Sequence, residues 1–351
     1  MKNSKIMKKI YFSLLFLSIH FVGQAQDALM SQFNDENLNR NPGLAGIFRG
    51  DFIVNAIYRN QWAYLNSPIN TAYIQAQNKI LIKDGLKDFF TLGFNASKDV
   101  AGSLSLQNTY ANASLTFNKS IETEHATYIS LGFTGGAVQQ SFDPTRIRAN
   151  NQFSNGAFDG SIDPKEFVLT NVINFNTLAA GVSLSGGLGR ENNTKYYLGA
   201  AAFNLNRPKT SYFNDAYVRK AIRYSLNAGL RFTLSNAWSL AFTGNYSTQN
   251  PFEETIGGAS ITWRQPSVMP GAYFAFTMGS YYRLNDAIIG LIRMDYKHYS
   301  LTCTYDIPNP DVSKWVSNAG AFEVGIGYRG FKSRFNNQIL CPGFEDNDLN
   351  N

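Results

Sequence analysis

From Arg223 to Ser247 apolar and polar residues alternate without a slip across two runs joined by a short turn, and this period of two dictates extended, two-faced strands. Tyr224, Leu226, Ala228, Leu230, Phe232 and Leu234 fall on one side of the first run, opposite Arg223, Ser225, Asn227, Gly229, Arg231 and Thr233. After Ser235-Asn236-Ala237, the residues Trp238, Leu240, Phe242 and Tyr246 share a face against Ser239, Thr243, Asn245 and Ser247. A soluble sandwich alternates in the same way, so the aromatic residues decide. Trp238 and Tyr246 bracket the apolar face eight residues apart, roughly 26 Å at ~3.3 Å per residue. Tilted by about 40°, that length spans about 20 Å, close to the lipid band of a membrane barrel between its aromatic girdles.

The first residues set the compartment. Lys2, Lys5, Lys8 and Lys9 precede an apolar run from Ile10 to Ile19, followed by Gly23-Gln24-Ala25. This is the pattern of a secretory signal, residues 1–25, cleaved after Ala25; the run is too short for a membrane-spanning helix of ~20 residues. Loss of its four lysines lowers the basic count from 31 to 27 against 25 acids, a net charge near +2 rather than +6. The basic balance therefore gives no reason to expect nucleic acid.

An exported chain that is 14% aromatic and 16% charged, with no long apolar helix, suits an all-β transmembrane barrel. Closure pairs every backbone group and leaves no strand edge in hydrocarbon. The alternation predicts about fourteen antiparallel strands, near 51–62, 69–81, 88–98, 103–119, 126–141, 172–186, 194–206, 221–234, 237–248, 253–264, 271–283, 286–297, 298–307 and 319–331. Most have ten or more residues, as tilted membrane strands require. An even count starting in the periplasm returns the chain there. The turns at 83–87, 121–125, 187–193, 235–236, 265–270 and 297–298 would then be periplasmic and short, with long loops at 142–171, 207–220 and 308–318 facing outward. The barrel is expected over 50–331. Residues 26–49, which include Asn41-Pro42-Gly43, either plug the lumen or lie in the periplasm. The polar stretch 332–351 reads as a periplasmic tail, so that both termini are periplasmic.

Groups that could carry catalysis are sparse. His125 and His298 both fall at predicted turns, with no serine–base pairing beside them. Clustered metal-ligand spacing is not evident, and no cofactor is expected. Cys303 shares the lipid-facing side with Tyr299, Leu301 and Tyr305, while Cys341 lies in the tail, so a disulfide between them is not expected. Seven charged residues point toward the lumen: Arg59, Arg223, Arg231, Arg293, Asp295, Glu323 and Arg329. They suit either a packed polar interior or a ligand path. Phe153 and Phe158, in the longest loop, suit partner contact or a constriction.

Five sequence blocks, in order, resemble the PorP/SprF family of outer-membrane proteins of the type IX secretion system. Ser31-Gln32-Phe33 with Asn41-Pro42-Gly43-Leu44-Ala45-Gly46 resembles the family's opening, with Gly43 in place of the usual alanine. Tyr58-Arg59-Asn60-Gln61-Trp62 matches the next block, and Tyr282-Arg283-Leu284-Asn285-Asp286-Ala287-Ile288 another. Thr304-Tyr305-Asp306-Ile307 and Ala321-Phe322-Glu323-Val324 resemble the closing strands, and Cys341-Pro342-Gly343-Phe344 the tail motif, with Gly343 replacing arginine.

The resemblance implies a non-enzymatic component that helps to secrete, or to hold at the cell surface, a protein with a type IX C-terminal domain, such as a gliding adhesin. Its partners would be that domain, other secretion components and membrane lipid. Gln61 and Trp62 join the inward charges as candidate partner-binding or lumen residues; Cys341, Pro342 and Phe344 are candidate tail contacts. The alternative is a FadL-like or porin-like transporter of small solutes.

Overall fold

The computed structural model describes residues 30–63, 68–82, 87–154, 157–162, 170–189, 192–265, 274–310 and 320–331. Alternation becomes a closed antiparallel barrel of fourteen strands. In chain order these are β1 (Phe52–Gln61), β2 (Ile69–Leu81), β3 (Phe89–Ala101), β4 (Leu106–Glu122), β5 (Thr127–Ser141), β8 (Val172–Leu188), β9 (Thr194–Phe203), β10 (Arg223–Thr233), β11 (Trp238–Gln249), β12 (Phe252–Arg264), β13 (Phe274–Arg283), β14 (Ala287–Tyr296), β15 (Tyr299–Pro308) and β16 (Ala321–Gly330). The two-residue strands β6 (Phe153–Ser154) and β7 (Ala157–Phe158) form a separate small hairpin within the longest loop. Each barrel strand pairs with its neighbour in sequence, and β1 closes the wall against β16.

Burial follows the period of two. On β10, Arg223, Ser225, Asn227, Gly229 and Arg231 are buried, while Tyr224, Leu226, Ala228 and Leu230 are exposed. The wall is thus oily outside and polar inside, the reverse of a soluble core and what lipid demands. Trp238, Trp263, Tyr296 and Tyr299 ring the outer wall toward one end. Tyr58, Tyr224, Tyr246, Tyr282, Tyr305 and Phe322 ring it toward the other. Cys303 is exposed on the wall between them, without a disulfide among the described residues; Cys341 lies outside those residues.

Strand limits differ from the sequence reading by up to three residues, as where β9 stops at Phe203 rather than 206. β3 runs on to Ala101, and β4 starts at Leu106 and ends at Glu122, because polar residues still pair there: Lys98 with Thr109, and Asp99 with Asn108. Hydrogen bonding, not oiliness, ends these strands. β4, β5 and β8 are the longest, at 17, 15 and 17 residues. At the end carrying the long connections 142–171, 204–222 and 309–320 their outward positions become Thr109, Gln139, Asn174 and Asn176, so this part of the sheet rises beyond the apolar belt.

Residues 30–50 lie inside the barrel as a plug. Short turns at Phe33–Glu36, Asn37–Arg40 and Pro42–Leu44 keep the segment compact. It begins among groups near the long-loop ends of β1, β15 and β16. It ends beside the short-turn end, where Asp51 donates its N–H to the Gly330 carbonyl at 2.9 Å. Residues 1–29, and with them the expected signal segment and the position of the N-terminus, lie outside the described residues, as does the tail 332–351.

Candidate functional site: the plug clasp

The plug is held at three levels. At the first, Glu323 on β16 is fully buried and receives four donors. Its two carboxylate oxygens accept the backbone N–H groups of Ser31 at 2.7 Å and Gln32 at 2.8 Å. Arg59 of β1 donates to one oxygen, and the Thr304 hydroxyl donates to the other at 3.3 Å. Arg59 also reaches Asp306 at 3.1 Å and the Ser31 hydroxyl oxygen at 2.7 Å. Ser31 in turn donates to Asp306 at 2.7 Å. Arg283 of β13 completes the cluster, 3.0 Å from Asp306, 2.9 Å from the Ser31 hydroxyl and 3.2 Å from Asp286. Two arginines, two buried carboxylates and one serine thus tie the plug to four strands. Charges so far from water are tolerable only when paired and hydrogen-bonded, as these are.

At the second level, Arg293 of β14 bridges Asp295 at 3.1 Å and Asp35 of the plug at 2.9 Å. Gln75 and Asn55 donate to the Asp35 carbonyl. Glu36 is buried and accepts the Met30 N–H at 2.8 Å, closing the plug on itself. Arg40 stacks on Phe33 and Tyr197.

At the third level, Asn41-Pro42-Gly43 sits against the wall of β4, β5 and β8. Thr116 donates to the Pro42 carbonyl at 2.8 Å, Ser183 to the Gly43 carbonyl at 2.6 Å, and the Asn41 amide to the Val182 carbonyl at 3.0 Å. Inward glycines make room. A Cβ on Gly132 would stand 2.4 Å from Pro42, and one on Gly181 would collide with the Asn41 side chain. Gly43 itself lies so close that a Cβ would meet Val182 at 2.8 Å, which accounts for glycine at this position.

Of the residues chosen from sequence, Arg59 and Glu323 meet in the first level, and Arg293 and Asp295 in the second. Arg223 donates to the Asn39 carbonyl at 2.8 Å and stacks over Phe203. Arg231 and Arg329 are buried near the short-turn end, away from the clasp; Arg231 donates to Ser239 at 2.7 Å. Gln61 ends β1, and Trp62 follows with a positive φ of 60°, its N–H on the Gly320 carbonyl, so both stand at the rim. Cys341, Pro342 and Phe344 lie outside the described residues. Sequence reasoning missed Ser31, Asp35, Arg283 and Asp306 as site residues, although three of these sit inside the family-like blocks. At the short-turn end Glu122, Glu124 and His125 bring ligand atoms within 4.8 Å of one another, a grouping the spacing argument passed over. The two glutamates are exposed, and such acidic groupings are common without any ion.

A membrane barrel whose lumen is occupied by residues 30–50 of its own chain, clasped at the seam between first and last strands, is the class this geometry defines. Residues 22–328 match the family described as type IX secretion system membrane protein PorP/SprF, and the chain belongs to that family. It is an outer-membrane β-barrel of the type IX apparatus. Among curated proteins none matches. Among solved structures it resembles the Pseudomonas putida toluene transporter TodX, with 8% identity, a TM-score of 0.47, and coverage of 87% of this chain and 95% of that one. The CymD monoaromatic hydrocarbon channel gives 10% identity, a TM-score of 0.45, and coverage of 85% and 93%. Both likenesses are loose.

Proposed function

We propose that the chain is a non-enzymatic secretion component that helps export a protein bearing a type IX C-terminal domain, or holds it at the cell surface. Family membership supports this reading. So does the way the family-like blocks converge: Ser31 and Gln32, Arg59, Arg283, Asp306 and Glu323 come from every block except the tail motif and form one clasp. In this reading a signal segment at 1–25 directs export, the short turns and the tail 332–351 face the periplasm, and the long loops face outward toward cargo. The tail, with Cys341, Pro342 and Phe344, contacts other secretion components.

The competing reading, a conduit for small solutes, requires the plug to leave its three attachments. Deletion of the gene followed by a survey of secreted and surface proteins separates the two. Loss of a large surface protein carrying such a domain is expected; an unchanged secretome with impaired solute uptake would overturn the secretion reading.

A further inference from the structure

We infer that two lobes at the long-loop end, residues 142–154 with 157–162 and residues 204–222, form one docking surface for an acidic face of a partner protein. The lobes are joined by Phe142 and Tyr212, whose rings meet edge to face at 5.1 Å. The second is closed by the bridge between Lys209 and Arg219. Large aromatic side chains stand in solvent on both: Tyr217 is 94% exposed, Phe213 64% and Phe153 55%. Exposed aromatics flanked by arginine are what protein interfaces bury at their energetic centres.

The charge defines the partner. Arg207, Lys209 and Arg219 are exposed on the second lobe, and among the described residues no carboxylate pairs with any of them. The lobe's one acid, Asp215, instead accepts the Tyr217 N–H at 2.8 Å. Two strands along the wall from β10 the rim turns acidic, with Glu253 exposed at the start of β12 and Glu254 and Asp286 beside Arg283. A partner carrying negative charge is therefore drawn to the second lobe and repelled from the neighbouring stretch of rim at β12, which favours one orientation as well as attraction.

Height argues for protein rather than a lipid surface. Phe142 donates its N–H to Asn171, beside Val172 at the top of β8, six residues beyond Leu178, where the apolar belt ends. At ~3.3 Å per residue and a tilt of about 40°, that is on the order of 15 Å. It exceeds the screening length of about 8 Å at physiological salt.

This inference deepens the proposed function by giving the partner's chemistry, and it rests on the long-loop end facing outward. A photo-crosslinking amino acid placed at Tyr217 in intact cells tests it, with Glu253 on the acidic rim as the comparison site and adducts identified by mass spectrometry. Expected is a protein adduct at 217 whose cross-linked peptide is net acidic. Its yield should fall at least tenfold in the triple variant R207E/K209E/R219E and in 0.5 M salt. Lipid adducts, equal yield at 253, a basic or neutral peptide, or indifference to charge reversal would each overturn it. Heat-modifiable migration of the triple variant on gels verifies that the barrel folds. If gene deletion leaves the secretome unchanged while the charge-dependent adduct persists, the export reading fails and the docking surface stands. If deletion removes a surface protein that the triple variant still exports, the docking inference fails alone.

Discussion

Arg59 and Glu323 face each other directly across the seam where the first and last strands meet, and the same Glu323 holds the backbone of Ser31 and Gln32. Barrel closure and plug retention therefore share one carboxylate. A chain whose β16 has not paired with β1 cannot hold its plug in this way.

Glu323→Ala should free the plug's leading end. It leaves Arg59 short of a buried partner and two N–H groups without an acceptor, a loss of about 3–5 kcal/mol. The unfolding temperature in detergent should fall, and a protease should cut residues 30–50 in reconstituted vesicles where the wild type resists. Arg59→Ala combined with Glu323→Ala should cost less than the two single effects added, since neither charge is then stranded.

Gly181→Val should displace the plug from its middle seat, because a Cβ there already collides with Asn41. Planar-bilayer conductance is expected to rise. Gly135→Val provides the contrast: its Cβ direction meets only Leu178, at 4.0 Å, on the outer wall. That variant should conduct like the wild type.

Cys303 tests the wall. A water-soluble maleimide should fail to label it in vesicles, while a lipid-soluble one succeeds. Cys303→Arg, between the two aromatic rings, should destabilise the barrel by about 2–4 kcal/mol as read by denaturant unfolding.

His125 lies in the turn between β4 and β5, where the Glu122 carboxylate, 2.8 Å away, raises its pKa above the usual histidine range. A raised pKa means the charged pair is fully present below about 6.5 and is lost as the pH climbs through the higher value. Imidazole NMR titration should show His125 changing charge above that ordinary value. Glu122→Gln should bring the midpoint down, and an unmoved midpoint would reject the pairing.

The strands could be read from residues because lipid on one side and a polar interior on the other impose a local period of two. Leu226 and Asn227, or Cys303 and Thr304, declare their faces from their neighbours alone. Strand ends were less clear, as at Lys98-Asp99, since backbone pairing continues after the apolar face stops. The inward direction of Arg59 and Glu323 was likewise plain from parity, but their meeting was not.

Sequence alone thus determined the barrel wall, the direction of its side chains and the family, all matters of local pattern and order along the chain. Only the tertiary structure decided that residues 30–50 fill the lumen, that Ser31 closes on Glu323, 292 residues away, and that Gly132 and Gly181 exist to receive Asn41 and Pro42. Those contacts depend on the curvature that brings β1 to β16 and on how closely a packed segment approaches the wall, and neither leaves a periodic mark in the chain.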